Sequence, residues 1–281
     1  LKESSYYCIQ VRDAQLDRGP AASLVLDRLV HSRVSPIDPT FLGYSYLRIY
    51  AGATEAAVAA KTSPSLLFVG GGAYGFPRYV EATYPTASIT VVEIDPQVTA
   101  ISRQLLGLRP DSRVQSVHQD ARAFLIGQTA DQSYDVVYGD AYSDLSTPYH
   151  LTTLEYDRLV YQALRDDGVY MANVIDDYEH GELLRAFVAT VRAVFSHTYL
   201  VRQGKFTGTQ AETAVVIGTK RPLDLASRAR PSEGMVVVAD EELQQYLAAG
   251  RQILLTDDYA PVDQLTAPLF LQRERIVDAP R

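Results

Sequence analysis

Four short apolar segments of this chain each end in glycines or in a carboxylate. Gly70, Gly71 and Gly72 follow residues 66–69, Glu93 follows residues 89–92, Asp120 follows residues 114–118, and Asp140 follows residues 135–138. In an open parallel α/β sheet, ligands bind outside the carboxyl ends of the strands. If the four segments are neighbouring strands, the glycines and the three carboxylates converge on one crevice.

Each of these residue types has a role in a nucleoside site. The glycines let the backbone approach a ligand closely and lead into a helix whose N-terminal end faces the pocket. Glu93 is placed to accept hydrogen bonds from two ribose hydroxyls. Asp120 can accept a hydrogen bond from an adenine amino group. Asp140 is then left to face the reacting end of the ligand.

The glycine pattern by itself leaves two interpretations open. Gly70, Gly72 and Gly75 also satisfy the dinucleotide fingerprint, which is typical of nicotinamide enzymes. A pyrophosphate-bearing cofactor does not require Asp120 and Asp140, whereas an adenosyl ligand with a positive sulfonium would use them. We therefore favour the adenosyl ligand.

Length, composition and charge fit a globular enzyme that binds a small cationic molecule. The 281 residues are 47% hydrophobic, which is enough for one large domain and a small one. The net charge of −8 comes without basic clusters and argues against nucleic acid as a partner. The single cysteine, Cys8, excludes an intrachain disulfide and offers no zinc cluster, so we expect no metal.

The chain contains no run of about 20 apolar residues and no visible signal peptide. We expect a cytoplasmic protein. Because the sequence begins at Leu1, an alternative expectation is the cytoplasmic domain of a membrane protein whose membrane region lies upstream.

The pattern along the chain predicts two domains, residues 1–58 and residues 59–281. The first is rich in β-like segments, at residues 6–11, 22–26 and 29–34. The second alternates apolar runs with helical patterns at residues 96–106, 153–164 and 181–195, which is typical of βαβ units and a parallel sheet. We expect a late antiparallel strand at residues 213–219, at or near the sheet edge, and a helix at residues 240–249.

From residue 6 to residue 220 the chain resembles the spermidine synthase family of polyamine aminopropyltransferases. The segments that carry the resemblance are Leu26-Asp27-Arg28-Leu29-Val30-His31, Gly43-Tyr44-Ser45-Tyr46, Phe68-Val69-Gly70-Gly71-Gly72, Val92-Glu93-Ile94-Asp95, Gln119-Asp120-Ala121 and Tyr138-Gly139-Asp140-Ala141-Tyr142-Ser143-Asp144. The resemblance implies a methyltransferase-like Rossmann fold, with a mostly parallel seven-stranded sheet and a small N-terminal β-domain. It also implies a small-molecule amine substrate and a homodimer.

The resemblance also implies a role for individual residues. Gly70, Gly71 and Gly72 would approach the adenosyl ligand, Glu93 would hold its ribose, and Asp120 with Ala121 would hold its adenine. Asp140 matches the family's catalytic aspartate, Asp144 resembles the second acid of the same loop, and Tyr46 matches a tyrosine of the amine pocket. His31, Tyr142 and His150 complete the expected substrate site. A base near the sulfonium carbon is needed because a protonated amine is not a nucleophile.

The chain departs from the family pattern at three places. Ala73 stands where typical members carry an aspartate that binds the ammonium of the donor's aminopropyl group. His31 replaces a common glutamine, and Leu47-Arg48 follows Tyr46 in place of an amide or imidazole and a glutamate. These departures resemble a divergent branch of synthase-like domains that are often attached to membrane segments.

Three functions are compatible with these residues. The first is aminopropyl transfer from decarboxylated S-adenosylmethionine to a di- or polyamine. The second is methyl or other alkyl transfer from S-adenosylmethionine itself, which Ala73 would favour. The third is a nucleoside or polyamine sensor without turnover.

Several residues have a simpler structural role as an alternative. Asp144 can stabilise its own loop, and His150 can be a partly buried structural histidine. Four tyrosines, Tyr44, Tyr46, Tyr74 and Tyr142, can be packing residues. Asp257 and Asp258 are expected in a solvated turn, with a role in holding a cationic substrate as the alternative.

Overall fold

The computed structural model describes residues 1–16, 19–128, 134–142, 147–204, 212–225 and 235–277. Its N-terminal part is an antiparallel sheet of four strands in the order of the chain. The strands are β1 (Lys2–Glu3), β2 (Cys8–Leu16), β3 (Gly19–Leu26) and β4 (Leu29–Val34).

The second sheet has eight strands in the order β12-β10-β11-β9-β8-β5-β6-β7. They are β5 (Ser65–Val69), β6 (Ser88–Val92), β7 (Gln115–Val117), β8 (Tyr134–Gly139), β9 (Leu164–Asp176), β10 (His197–Gln203), β11 (Glu212–Thr219) and β12 (Met235–Val237). The five strands from β5 to β9 pair in parallel, while β11 runs antiparallel to β9 and β10, and β12 antiparallel to β10. The predicted mostly parallel α/β sheet is therefore confirmed, with β11 near one edge and the three-residue β12 as an additional outer strand.

The connections contain eight helices among the described residues. They are α1 (Ser45–Val58), α2 (Gly75–Thr83), α3 (Pro96–Leu105), α4 (Ala121–Ile126), α5 (Leu154–Ala163), α6 (Leu183–Val194), α7 (Asp240–Ala248) and α8 (Val262–Val277), with a 3-10 turn at Tyr149–Leu151. Local sequence explains where helices start. Asp95 caps α3 by accepting a hydrogen bond from Gln97 N at 2.9 Å, and Pro96 fills the first helical position.

Helices cover both faces of the large sheet. Along β5, alternate residues enter different cores, because successive side chains of a strand point to opposite faces. Leu67 and Val69 pack with α4, α5 and α6, whereas Leu66 and Phe68 pack with α1 and α2. A strand buried on both faces reads as the continuous apolar run seen in the sequence.

Helix α1 was not expected within the β-rich first 58 residues. Its buried residues include Leu47, Tyr50, Ala53 and Thr54, at the three- and four-residue spacing of one helix face. This face packs against β8, β9, β10 and β11 of the large sheet. The strands of the first sheet end at Val34, and the domain boundary at residues 58 and 59 stays a prediction.

A third apolar cluster joins the N-terminal sheet to the large domain. Residues of β2, β3 and β4 pack there against α3 and the loop after β5; the cluster contains Ile9, Ala22, Leu24, Leu26, Val34, Ala73, Val98, Ile101 and Leu106. The small sheet is thereby fixed over the carboxyl ends of β5 and β6.

No helix in the described part of the chain is long and apolar enough to cross a membrane.

Helix α5 carries a buried carboxyl group, that of Asp157. Asp157 is 0% exposed, and neither carboxyl oxygen has a hydrogen-bond partner among the described residues. Burial raises its pKa well above the usual range, because a charged carboxylate loses its hydration in an apolar core. The folded state therefore favours a protonated Asp157.

We expect Asp157→Asn to change the pH dependence of stability. The pKa of Asp157 is raised on folding, so its stabilising contribution is complete below the unfolded value of about 3.9 and is lost as pH rises toward the folded value. The isosteric amide does not titrate. Within that interval, each pH unit should cost the wild type up to about 1.4 kcal/mol of unfolding free energy relative to the variant.

Urea unfolding at pH 4 and at pH 7 measures this difference. The two proteins should be similar at pH 4, and the variant should be more stable at pH 7. Parallel pH profiles for both proteins would contradict a raised pKa at Asp157.

Candidate active site

A cavity of about 700 Å³ opens where the parallel strands end. It lies between the carboxyl ends of β5, β6, β7 and β8 on one side and the N-terminal sheet and α1 on the other. Its lining contains every residue predicted for the site that falls within the described ranges, namely His31, Tyr46, Gly70, Gly71, Gly72, Glu93, Asp120, Ala121, Asp140, Tyr142 and His150. The strand-end residues thus meet in one place, as their positions in the sequence predict.

Gly70 allows two strand ends to meet. Its N–H donates to Val92 O and the N–H of Asp140 donates to Val69 O, both at 2.9 Å. Gly70 has φ of 92°, and a Cβ at this position would lie 2.4 Å from Asp140 O. Only glycine satisfies both the backbone conformation and the space.

The other two glycines adapt the loop to neighbouring elements. Gly71 N donates to Glu93 Oε2 at 2.8 Å. Gly72 has φ of 48°, and a Cβ there would lie 2.7 Å from the Ser32 hydroxyl of β4. The N-terminal sheet therefore covers this loop directly and closes one side of the cavity.

Glu93 is a buried carboxylate held by backbone amides. Besides the bond to Gly71, its Oε1 accepts from Asp95 N at 2.9 Å. Burial raises the pKa of Glu93, and the two backbone hydrogen bonds act in the opposite direction by stabilising the charged form. Each carboxylate oxygen has lone pairs left for a further donor, so the group can accept hydrogen bonds from two hydroxyls of a ligand.

Asp120 and His150 form a pair at the far side of β6. Asp120 Oδ1 caps α4 through Ala123 N at 2.9 Å, and Asp120 Oδ2 lies 2.8 Å from His150 Nε2. Burial raises the pKa of Asp120, but these hydrogen bonds outweigh it and hold the pKa below its usual range. Asp120 is thus a charged acceptor on the cavity wall, and His150 is its partner.

The turn that carries His150 is anchored by an ion pair. Arg122 donates to His150 O at 3.2 Å and to both carboxylate oxygens of Asp257, at 2.6 and 2.5 Å. Thr153 Oγ1 donates to the same carboxylate at 2.8 Å. Asp257 and Asp258 are both exposed residues of a turn, as expected, and the carboxylate of Asp257 in addition anchors the His150 turn.

Asp140 faces the cavity from the end of β8. Its Oδ2 accepts a hydrogen bond from the Tyr46 hydroxyl at 3.0 Å, and the side-chain amide of Asn173 is its neighbour on β9. Burial raises the pKa of Asp140 to about 7, although Tyr46 and Asn173 both favour the charged form. A carboxylate with this pKa can take up a proton at neutral pH.

Tyrosines of α1 form the wall beside Asp140. The rings of Tyr44 and Tyr46 stack at 6.1 Å, and Tyr50 contacts Tyr46 edge to face at 5.4 Å. Burial and the nearby Asp140 raise the pKa of Tyr46 well above the usual 10, so its hydroxyl stays protonated and donates. This wall suits an alkyl amine, because it combines apolar surface with ring faces that attract cations.

The loop after β8 is held by two contacts that the sequence did not indicate. Tyr142 donates its hydroxyl proton to Asn173 O at 2.8 Å, and Tyr7 donates to Tyr142 O at 3.4 Å. Tyr7 and Asn173 both line the cavity. Asn173 could have been found in the sequence, since it interrupts the apolar run 171–175.

Ala73 does not lie on the cavity wall. It is 1% exposed and packs in the cluster between the N-terminal sheet and α3. The expectation that residue 73 faces the tail of the donor is therefore wrong. Tyr74 follows with a left-handed φ of 56° and is a packing residue, whose hydroxyl is bonded to Thr99 and Ser116 at 2.8 and 3.0 Å.

Asp144 lies outside the described residues. Within the ranges that are described, no group of three or more His, Cys, Asp or Glu is arranged to hold a metal ion.

Comparison with known proteins finds similarity to a family of synthases and to curated polyamine aminopropyltransferases. The family model for the spermine/spermidine synthase domain matches residues 54–203, which is more than half of the chain. A probable polyamine aminopropyl transferase of Bifidobacterium longum is 30% identical over 150 residues, covering 53% of this chain and 32% of that protein. The chain thus spans about a third of the length of this curated relative.

Two solved structures share the fold. A probable spermidine synthase from Corynebacterium glutamicum superposes with a TM-score of 0.80 at 22% identity, covering 93% of this chain and 97% of the other. A spermidine synthase in complex with the transition-state analogue AdoDATO superposes with a TM-score of 0.63 at 17% identity, covering 96% and 87%. At these identities the structures establish the fold.

We expect Gly70→Ala to destabilise the protein and to weaken nucleoside binding by more than the left-handed backbone of residue 70 alone explains. Gly204 is a matched control, because it also has a positive φ, 66°, but no atom of the described residues lies within 4 Å of a Cβ placed there. Gly204→Ala should cost about 1–2 kcal/mol of unfolding free energy. Gly70→Ala should cost more, since the methyl group displaces the backbone of Asp140.

Urea unfolding and binding of methylthioadenosine by calorimetry measure both effects. Gly70→Ala should lose nucleoside affinity and Gly204→Ala should keep it. Equal stability losses and unchanged affinity in both variants would contradict the close approach of these two strand ends.

Proposed function

The chain belongs to the spermine/spermidine synthase family, and on this premise we propose that it transfers an aminopropyl group from decarboxylated S-adenosylmethionine to a nitrogen of a di- or polyamine. One observation supports this most strongly: the buried carboxylate of Glu93 and the half-buried carboxylate of Asp140 line one cavity and have different kinds of hydrogen-bond partner. Glu93 is bonded to backbone amides, and Asp140 to side-chain donors beside an aromatic wall. The surroundings of Glu93 suit a carboxylate that holds a fixed group of the ligand. The surroundings of Asp140 suit a carboxylate that exchanges a proton with the ligand.

The donor is proposed to lie along the strand ends. Glu93 would accept hydrogen bonds from the two ribose hydroxyls, and Asp120 from the adenine amino group next to Ala121. The sulfonium end would then point toward Asp140, on the other side of the glycine loop. The neighbour structure with AdoDATO supports a ligand of this adenosyl class.

The acceptor amine is proposed to enter along Tyr44 and Tyr46. An ammonium has no lone pair for attack, so Asp140 takes its proton and leaves a neutral amine. The nitrogen then forms a bond to the carbon next to sulfur. The carbon–sulfur bond breaks, its electron pair stays on sulfur, and methylthioadenosine leaves uncharged.

Tyr46 and the tyrosine wall would orient the amine. Tyr46 donates a hydrogen bond to Asp140 and so leaves the other carboxylate oxygen for the amine. Its own pKa is raised well above 10, which excludes it as the base at neutral pH. His31 and Tyr142 complete the lining around the acceptor.

The structure removes one argument for a donor that keeps its carboxylate. That argument assumed that Ala73 faces the donor tail, and Ala73 lies in the packed cluster instead. We therefore favour aminopropyl transfer over methyl transfer. A homodimer and a cytoplasmic location stay predictions.

Glu93→Gln should weaken every adenosyl ligand alike. The amide keeps the shape of the side chain but loses the charge that strengthens hydrogen bonds from two hydroxyls, and its NH2 group cannot accept from Gly71 N or Asp95 N as the carboxylate does. We expect methylthioadenosine to bind about 2 kcal/mol more weakly, measured by calorimetry. Glu241→Gln, in an exposed position of α7, is the matched control. Unchanged affinity in folded Glu93→Gln would refute the ribose assignment.

Asp140→Asn should reduce turnover far more than donor binding. The amide keeps the shape and removes the base, which acts only in the reaction step. We expect the rate of amine alkylation to fall about a hundredfold or more, with methylthioadenosine affinity nearly unchanged. Asp258→Asn, an exposed carboxylate, is the control. Near-normal turnover in Asp140→Asn would exclude this residue as the base.

A further inference from the structure

Asn173 lies beside Asp140 because of strand register. In the parallel pair of β8 and β9, Gly139 is the partner of Ala172, so the next residues along each strand direction are Asp140 and Asn173. Asn173 is 4% exposed and also lies on the cavity lining. Its Oδ1 is buried and has no hydrogen-bond partner among the described residues, so the NH2 end of the amide is the end available to Asp140.

Asn173 contacts the catalytic loop at two points. Its side-chain amide lies beside the carboxylate of Asp140 and favours the charged form of that group, and its backbone oxygen accepts a hydrogen bond from the Tyr142 hydroxyl at 2.8 Å. An ionised carboxylate only accepts hydrogen bonds, so the amide must present its NH2 group to Asp140. One residue of β9 thus fixes both Asp140 and the loop that follows it.

The groups around Asp140 come from three elements. Tyr46 and Tyr50 face it from α1, Tyr142 from its own loop, and Asn173 from β9. None of these four groups is charged at neutral pH. Neutral donors are therefore what stabilises the charged carboxylate against burial, and the two that bond to it are Tyr46 and Asn173.

The two donors differ in position. Tyr46 belongs to the wall along which the acceptor amine is proposed to enter, and its contact can change when substrate arrives. Asn173 lies in the middle of the sheet, between β8 and β11, where it pairs with Val215. Its contact with Asp140 is fixed by the register of the strands.

We propose that Asn173 is a positioning residue for the transfer reaction, which holds the carboxylate of Asp140 in its ionised form and aims its free oxygen at the acceptor amine. This inference rests on the proposed function for its kinetic consequence. The contact between Asn173 and Asp140 is independent of that function.

The kinetic test is the pH dependence of kcat/KM in Asn173→Leu. Leucine is similar in size but donates no hydrogen bond, so the protonated form of Asp140 becomes more favourable and its pKa rises from about 7. The acid limb of the profile should move to higher pH by about one unit, with a loss of about tenfold at pH 6.5 that recovers near pH 9. Asn173→Gln keeps an amide and should restore part of the shift.

Thr190→Val is the control for losing any buried polar contact. Thr190 is 0% exposed on α6 and bonds to Ala186 O and Leu255 N, away from Asp140. This variant should lose stability without moving the pH profile. If Asn173→Leu loses activity equally at every pH, Asn173 has only a structural role and the proposal is overturned.

A spectroscopic titration measures the effect of Asn173 on the protonation of Asp140 directly and does not require the transfer reaction. The infrared carbonyl band that is present in wild type and absent in Asp140→Asn reports protonated Asp140, and it can be followed against pH in the protein with methylthioadenosine bound. Its midpoint should be higher in Asn173→Leu than in wild type. An unchanged midpoint overturns the proposal even if the protein proves to be a transferase, and a raised midpoint supports it even if the transfer assay fails.

Discussion

The site depends on the close approach of two strand ends at Gly70. The backbone of residue 70 is bonded to the end of β6, and the backbone of Asp140 is bonded to the end of β5. A side chain at residue 70 would overlap with the carbonyl of Asp140, so the absence of a Cβ is what lets three parallel strands end at one point. Glu93 and Asp140 can share a cavity only because of this arrangement. The N-terminal sheet then closes the cavity by packing on the same loop.

Three carboxylates in one cavity repel one another unless each is stabilised separately. Backbone amides stabilise Glu93, a helix N-terminus and a histidine stabilise Asp120, and two neutral side chains stabilise Asp140. Burial raises the pKa of Asp140 to about 7, because burial acts more strongly on it than its neutral donors do. In the proposed reaction, carboxylates therefore bind ligand at two positions and exchange a proton at the third. Local hydrogen bonding explains this division of roles.

The sequence predicted the parallel part of the fold and the strand-end residues well, because a buried strand reads as an apolar run and the next polar residue marks its end. Glu93 and Asp140 were found in this way. Ala73 was misplaced, since the left-handed turn at Tyr74 directs the loop toward the N-terminal sheet, and no local pattern signals this. Contacts between distant segments, such as Asn173 with Asp140 or Arg122 with Asp257, depend on register and tertiary packing, which a single sequence does not specify.

The central claim is that this cavity joins an aminopropyl donor to an amine. The most direct measurement uses decarboxylated S-adenosylmethionine labelled with ¹³C in the aminopropyl carbons, incubated with the protein and putrescine and analysed by mass spectrometry. The account predicts labelled spermidine and unlabelled methylthioadenosine in equal amounts. Label that remains on the nucleoside, together with methylated amine when S-adenosylmethionine is supplied, would contradict it.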